Sequence, residues 1–301
     1  MNIKKGFTLY RKIILFLVAI VLLTSCSPLK EKKLKISAST WIGYSPLYYA
    51  KQKGWLKPLN IKLVHVTSLS ENMYLYDAGN SDAYVGTQYE YGVLSKKNSS
   101  LMPVILFDSS NGGDIIMSNV SIKTLQSTKQ PIDAYLEMDS INSTLLKDFI
   151  DKYSLDDKKI NYINRDQGYI STLKSEKITK PTIIVTYIPY NIELNKHGFK
   201  NIASTKSDLE LLVIDALYTK EETLREHKKQ FVELKELVDK ALDILKTDPK
   251  EFYKTVKPYM LELSFDDFKQ ELNNITWINE KISKRLKKQM KTTHYPTGGL
   301  L

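Results

Sequence analysis

Two hydrophobic periods alternate along the chain. Leu34, Ile36 and Ala38 are separated by polar residues, and Asn60–Val66 repeats that two-residue rhythm; Ala83–Thr87 and Val104–Phe107 are short apolar runs. These predict strands. Between them lie stretches with helical spacing. One opens at Ser45-Pro46 and stops at Gly54, a second runs from Glu71 to Ala78 before Gly79, and a third covers Glu90–Ser95. Alternation of this kind predicts an α/β chain whose parallel sheet carries helices on both faces. Further strands are expected at 114–117, Lys159–Ile163, Pro181–Thr186 and Leu209–Asp215, with helices near Asn142 and over 168–173. From Lys220 the period is helical throughout. Phe231, Leu234, Leu237, Val238, Ala241, Leu242 and Leu245 mark the first long helix, and others begin at Asp248-Pro249, Ser264 and Ile278.

Ligands of such sheets bind beyond the carboxyl ends of the strands. That rule selects Thr40–Ser45, Thr87–Glu90 and Asp108–Asp114. In the first segment a strand runs directly into a helix N-terminus, leaving backbone N–H groups free, with Trp41 and Tyr44 beside them. A plain strand-turn-helix with a core tryptophan explains the same residues. In the third segment Ser109, Ser110, Gly112 and Gly113 make a polar, permissive loop. Glu90, Asp108, Asp114 and Asp215 fall at strand ends facing the same region; some are expected to cap helices or brace the hinge, Asp108 above all. Gathered carboxylates repel a simple anion and favour a cationic or zwitterionic ligand. Trp41, Tyr44, Tyr89, Tyr91, Tyr187 and Tyr190 offer ring faces for a flat heterocycle or an ammonium group.

The chain opens with Lys4, Lys5, Arg11 and Lys12, then an unbroken apolar run Ile13–Leu23, then Leu23-Thr24-Ser25-Cys26. A run of that length is short for a spanning helix and has the layout of a secretory signal. It resembles a bacterial lipoprotein signal, which implies lipid on Cys26 and a protein exported and tethered to a membrane. Cys26 is the only cysteine, so no thiol remains for a disulfide, a nucleophile or a cysteine metal site. Loss of residues 1–25 removes four basic residues and no acidic one, taking the net charge from +10 to +6. Nucleic acid is not expected as a partner. The four histidines are scattered, and no metal spacing, phosphate loop or nucleophile elbow occurs, so neither an enzyme nor a cofactor is expected.

Four segments carry a family resemblance in order: Trp41-Ile-Gly43-Tyr44-Ser-Pro46-Leu47-Tyr-Tyr-Ala50; Gly79-Asn-Ser-Asp82-Ala83 with Thr87; Asp108-Ser-Ser110-Asn-Gly112-Gly113-Asp114; and Thr186-Tyr187-Ile-Pro189-Tyr190. Together they resemble the substrate-binding proteins of ABC importers in the nitrate, sulfonate, taurine and thiamine-precursor group. The cysteine-rich iron site of the thiamine-pyrimidine synthases that resemble this group has no counterpart here. The resemblance implies a type II periplasmic-binding-protein-like fold: two lobes, each a central sheet flanked by helices, joined by two hinge strands. It sets expected boundaries of 1–25 for the signal, 26–33 for a tether, 34–117 and 211–301 for the first lobe, and 118–210 for the second. The expected ligand set is Trp41, Tyr44, Thr87, Gln88, Glu90, Ser110, Gly113 and Asp114, with Asp215 at the return strand and Ser140 and Tyr187 closing from the second lobe. The implied protein is a monomer that captures a small organic solute by lobe closure. Its partners are an ABC permease and ATPase complex and, through Cys26, the membrane. A nitrogen heterocycle, amine or zwitterion ranks ahead of a sulfonate. A tethered ligand sensor for a signalling receptor is the alternative.

Overall fold

The computed structural model describes residues 31–301 other than Ser207, Glu210, Glu280, Lys281 and His294, and leaves aside the side chains of Arg285 and Gln289. The expected signal segment and Cys26 lie outside the described residues. Eleven strands are formed among those described: β1 Leu34–Ser39, β2 Ile61–Val66, β3 Ala83–Thr87, β4 Leu101–Ser110, β5 Asp114–Ser118, β6 Ile132–Leu136, β7 Ile160–Asn164, β8 Thr182–Tyr187, β9 Lys200–Ser204, β10 Ile214–Lys220 and β11 Ile275–Trp277. The helices that matter below are α1 Ser45–Gln52, α2 Leu69–Asp77, α3 Gln88–Ser95, α4 Ile122–Ser127, α5 Ile141–Lys152, α6 Gln167–Ile170, α7 Tyr190–Lys196, α8 Glu221–Glu226 and α9 Lys228–Thr247.

The strands form two sheets, ordered β11-β4-β10-β3-β1-β2 and β7-β6-β8-β5-β9. Neither is wholly parallel, contrary to the expectation from alternation alone. In the first, β2, β1 and β3 are parallel, but β10 runs antiparallel between β3 and β4. In the second, β7, β6 and β8 are parallel, and β5 runs antiparallel between β8 and β9. β10 and β5 are the strands that enter each sheet from the other; the short β11 at the edge of the first sheet also runs antiparallel to β4. Local periodicity cannot show this, because it reports burial and not the direction from which a strand arrives.

The chain crosses between sheets twice. The first crossing falls at 111–113, ahead of the expected boundary at 117, because β5 pairs over its whole length within the second sheet. The second covers 205–213, so the return strand starts at Ile214 and not at Leu209. The two crossings touch: the Gly112 amide donates to the Thr205 hydroxyl at 2.9 Å. β6, β9 and β11 escape sequence reading; β9 is only partly buried and β11 has three residues.

Apolar side chains pack against the faces of both sheets, and the main cluster runs from the first sheet into the second. In the first, Leu47, Tyr48 and Ala50 of α1 and Phe231, Leu234, Val238, Ala241 and Leu242 of α9 are buried with Ile36, Ala38 and Val85 of the strands. The stripe on α9 matches the apolar period of its sequence. In the second, Leu145, Leu146 and Phe149 of α5 pack with Ala134, Ile183 and Val185. At roughly 1.5–3 kcal/mol per buried large aliphatic or phenyl side chain, these faces are what hold helices on the sheets.

Candidate functional site

The strand ends of the two sheets face one another, and the side chains between them are almost entirely buried. On the first-sheet side, Gly43 lets the turn after β1 pass close to β4, since a Cβ there would overlap Asp108 Oδ2 and the Trp41 indole nitrogen. Trp41 Nε1 donates to both oxygens of Asp108 at 3.3 Å. Asp108 and Asp215 are direct cross-strand partners on β4 and β10. The Tyr44 hydroxyl donates to Asp215 Oδ1. Burial pushes Asp108 well above the usual carboxyl range, with the Asp114 charge adding to it; burial does the same to Asp215, reinforced by Asp108. Burial, then the Asp215 charge, raises the Tyr44 hydroxyl as well.

The second-sheet side presents Asp114 at the start of β5, Tyr187 at the end of β8 and Glu137 just past β6. Burial lifts Asp114 from 3.8 to about 7, with the Glu90 charge adding to the shift. Its Oδ2 has no hydrogen-bond partner. Burial lifts Glu137 from 4.5 to about 8, against the pull of the Ser70 and Gln167 amides. Trp41 and Tyr187 meet edge to face across the gap, their rings 6.0 Å apart.

Between these walls is a narrow space lined by Trp41, Tyr44, Leu69, Thr87, Asp114, Tyr187, Val213 and Asp215, with room for a water-sized group. The cleft is drawn shut on its own side chains. Six residues expected at the ligand are therefore brought together: Trp41, Tyr44, Thr87, Asp114, Tyr187 and Asp215. The other five stand behind them. Gln88 is tied to the second crossing, donating to the Leu212 carbonyl and accepting from the Ile214 amide at 2.9 Å. Glu90 completes a capping box at the start of α3, accepting from the Thr87 amide at 2.8 Å and its hydroxyl at 2.6 Å. Ser110 braces the first crossing through Thr205 (2.7 Å) and the Asp114 amide (3.0 Å). Gly113 gives Trp41 its place, since a Cβ there would overlap the indole. The Ser140 hydroxyl caps α5 and donates to the Glu137 carbonyl at 2.9 Å.

Sequence reading passed over Leu69, Val213 and Glu137. Glu137 was within its reach: the strand-end rule, applied to β6 as it was to β1 and β3, points to it. Leu69 and Val213 carry no chemical signal and are placed only by packing. Among the described residues, no group of three His, Cys, Asp or Glu side chains is arranged to hold a metal ion, and no helix is long and apolar enough to cross a membrane.

Three solved structures of similar architecture define the class of fold. The ligand-binding component of an ABC-type import system from Staphylococcus aureus, with zinc bound, aligns with a TM-score of 0.68 at 16% identity, covering 89% of this chain and 94% of that one. The alkanesulfonate-binding protein SsuA from Xanthomonas axonopodis pv. citri, bound to MOPS, aligns at 0.67 and 14% identity over 88% and 91%. A Candida albicans protein described as exhibiting the generic periplasmic binding protein fold aligns at 0.62 and 12% identity over 87% and 90%. The present chain has that two-lobed fold. Residues 41–252 match the model of the family described as NMT1/THI5 like, and the chain belongs to that family. No curated protein sequence matches it. The first of these neighbours is described as a binding component of an import system, and the second as an alkanesulfonate-binding protein.

Proposed function

We propose that the protein is the extracytoplasmic solute-binding component of an ABC importer, and that its solute is a small organic molecule bearing a cationic or zwitterionic nitrogen. A thiamine-type aminopyrimidine or a simple amine fits this description. One observation carries the choice: Asp114 Oδ2 is buried without a partner, lining the same space as Asp215 on the facing wall, beside the rings of Trp41 and Tyr187. Among the described residues, Glu90, Asp108, Asp114, Glu137 and Asp215 form no ion pair with lysine or arginine. A positive group placed there takes over the role of the protons that burial holds on the carboxyls, and an aromatic face supports it.

The space as it stands is too small for a pyrimidine, so entry requires the lobes to part at the 111–113 and 205–213 crossings. Closure then brings Asp114 and Tyr187 against Trp41 and Tyr44. The closed form differs in surface from the open one, and this difference is what a permease distinguishes; ligand shifts the balance only through contacts it makes better in one state. Export and attachment through lipid on Cys26, with the chain acting as a monomer, complete the reading; the run Leu23–Cys26 supports the anchor.

Calorimetry of the purified protein against 4-amino-5-hydroxymethyl-2-methylpyrimidine, small amines, methanesulfonate and nitrate tests it. Binding is expected among the nitrogen bases. Tight binding of methanesulfonate or nitrate alone would overturn the assignment and favour the sulfonate alternative, which the SsuA-like architecture supports.

A further inference from the structure

Glu90 and Glu137 are both 1% exposed, lie on opposite lobes and are absent from the lining of the space. Each nevertheless reaches across. Glu90, at the start of α3 in the first lobe, accepts at Oε1 from the Ile141 amide at 3.1 Å. Ile141 is the first residue of α5, a twelve-residue helix of the second lobe. Glu137, past β6 in the second lobe, accepts at Oε2 from the Ser70 amide at 3.4 Å. Ser70 lies in the first turn of α2, a nine-residue helix of the first lobe. The second oxygen of each carboxyl is held within its own lobe: Glu90 Oε2 by Thr87, and Glu137 Oε1 by the Gln167 amide at 3.2 Å and the Tyr187 hydroxyl at 3.4 Å.

We propose that these two glutamates form a reciprocal clasp, each placing a carboxyl oxygen on a first-turn amide of a helix of the opposite lobe. The clasp has two consequences: it holds the lobes together, and it makes Glu90 and Glu137 determinants of specificity against anionic solutes. The physical reason lies in the helix ends. The first amides of a helix lack intrahelical acceptors and carry about half a unit of positive charge between them, so they are the natural seat for a sulfonate or nitrate oxygen. In this protein one first-turn amide of α5 and one of α2 are taken by its own carboxyl groups, fixed from behind by Thr87 and Tyr187. An anionic solute must displace one of them and then stand beside the rest. A solute bearing a cationic nitrogen meets no such competition. This inference deepens the solute-binding reading and rests on it.

The test compares the wild-type protein with Glu137→Ala, Glu90→Ala and Glu137→Gln. The probes are methanesulfonate by calorimetry and lobe separation by small-angle scattering. Emptying a seat is expected to raise methanesulfonate affinity at least tenfold and to enlarge the radius of gyration of the unliganded protein. Glu137→Gln keeps an oxygen acceptor for Ser70, and its gain is expected to be threefold or less. Glu90→Ala also removes the α3 capping box, so a failure to fold there leaves the decision to Glu137→Ala, whose residue belongs to no capping box. Folded alanine variants with unchanged methanesulfonate affinity and unchanged lobe separation overturn the clasp. The wild-type arm decides the underlying reading separately: tight methanesulfonate binding with both glutamates intact would overturn the cationic-solute assignment itself.

Discussion

The two walls of the closed gap differ in how far each is finished by its own lobe. On the first-sheet wall every carboxyl has a donor: Trp41 serves Asp108 and Tyr44 serves Asp215. The register of β4 against β10 holds the pair side by side. Asp114 and Glu137, on the opposite wall, sit at a strand start beside a crossing and just beyond a strand end. Asp114 keeps one oxygen unpartnered, and Glu137 is held by contacts of 3.2–3.4 Å, one of them from the first lobe. A wall assembled within one sheet is rigid before the lobes meet; one that draws partners from the other lobe is complete only on closure. The first is thus a platform and the second the moving jaw, and the free acceptor lies on the jaw.

The sharpest way to break this contrast is Asp114→Asn. It is expected to weaken binding of the cationic solute on the order of 100-fold, about 3 kcal/mol, by removing the partner of a desolvated charge. The same change leaves the unliganded protein as stable as before or more so, since it removes a buried carboxyl that lacks a full set of partners. Calorimetry and thermal melting measured together would show the split, and parallel loss of both would contradict it. On the platform side, Gly43→Ala drives a methyl group into Asp108 and the Trp41 indole. Overpacking there is expected to cost about 2–3 kcal/mol of unfolding free energy in denaturant titration; unchanged stability would mean that the platform is not tightly set.

A further effect is expected on pH. Asp114 and Glu137 have raised values in the closed protein, about 7 against 3.8 and about 8 against 4.5. The folded chain therefore holds these protons more tightly than the unfolded one. The stability they contribute is full below the unfolded values near pH 4 and is lost as pH rises toward 7 and 8. Between pH 5 and 8.5 the unliganded protein should lose stability, read as a falling melting midpoint, with a bound cationic solute opposing the trend. A midpoint that rises across the same window would contradict the burial of these groups.

Much of the architecture was legible in order. The strands at β1, β2, β3, β7 and β8 and the long apolar stripe of α9 follow from periods of two and of three to four residues, because burial of one face imposes those periods on the chain. Strand ends then located Trp41, Tyr44, Thr87 and Asp114. What the sequence could not contain was the company each residue keeps. Whether β10 slots between β3 and β4, and so sets Asp215 beside Asp108, depends on contacts more than a hundred residues apart along the chain. Glu90 shows the point in one side chain. Its own sequence neighbours determine that it caps α3 through Thr87, a contact within one helical turn. That its other oxygen meets the first amide of α5, in the other lobe, was decided only by tertiary packing, which sets the strand ends of the two sheets face to face.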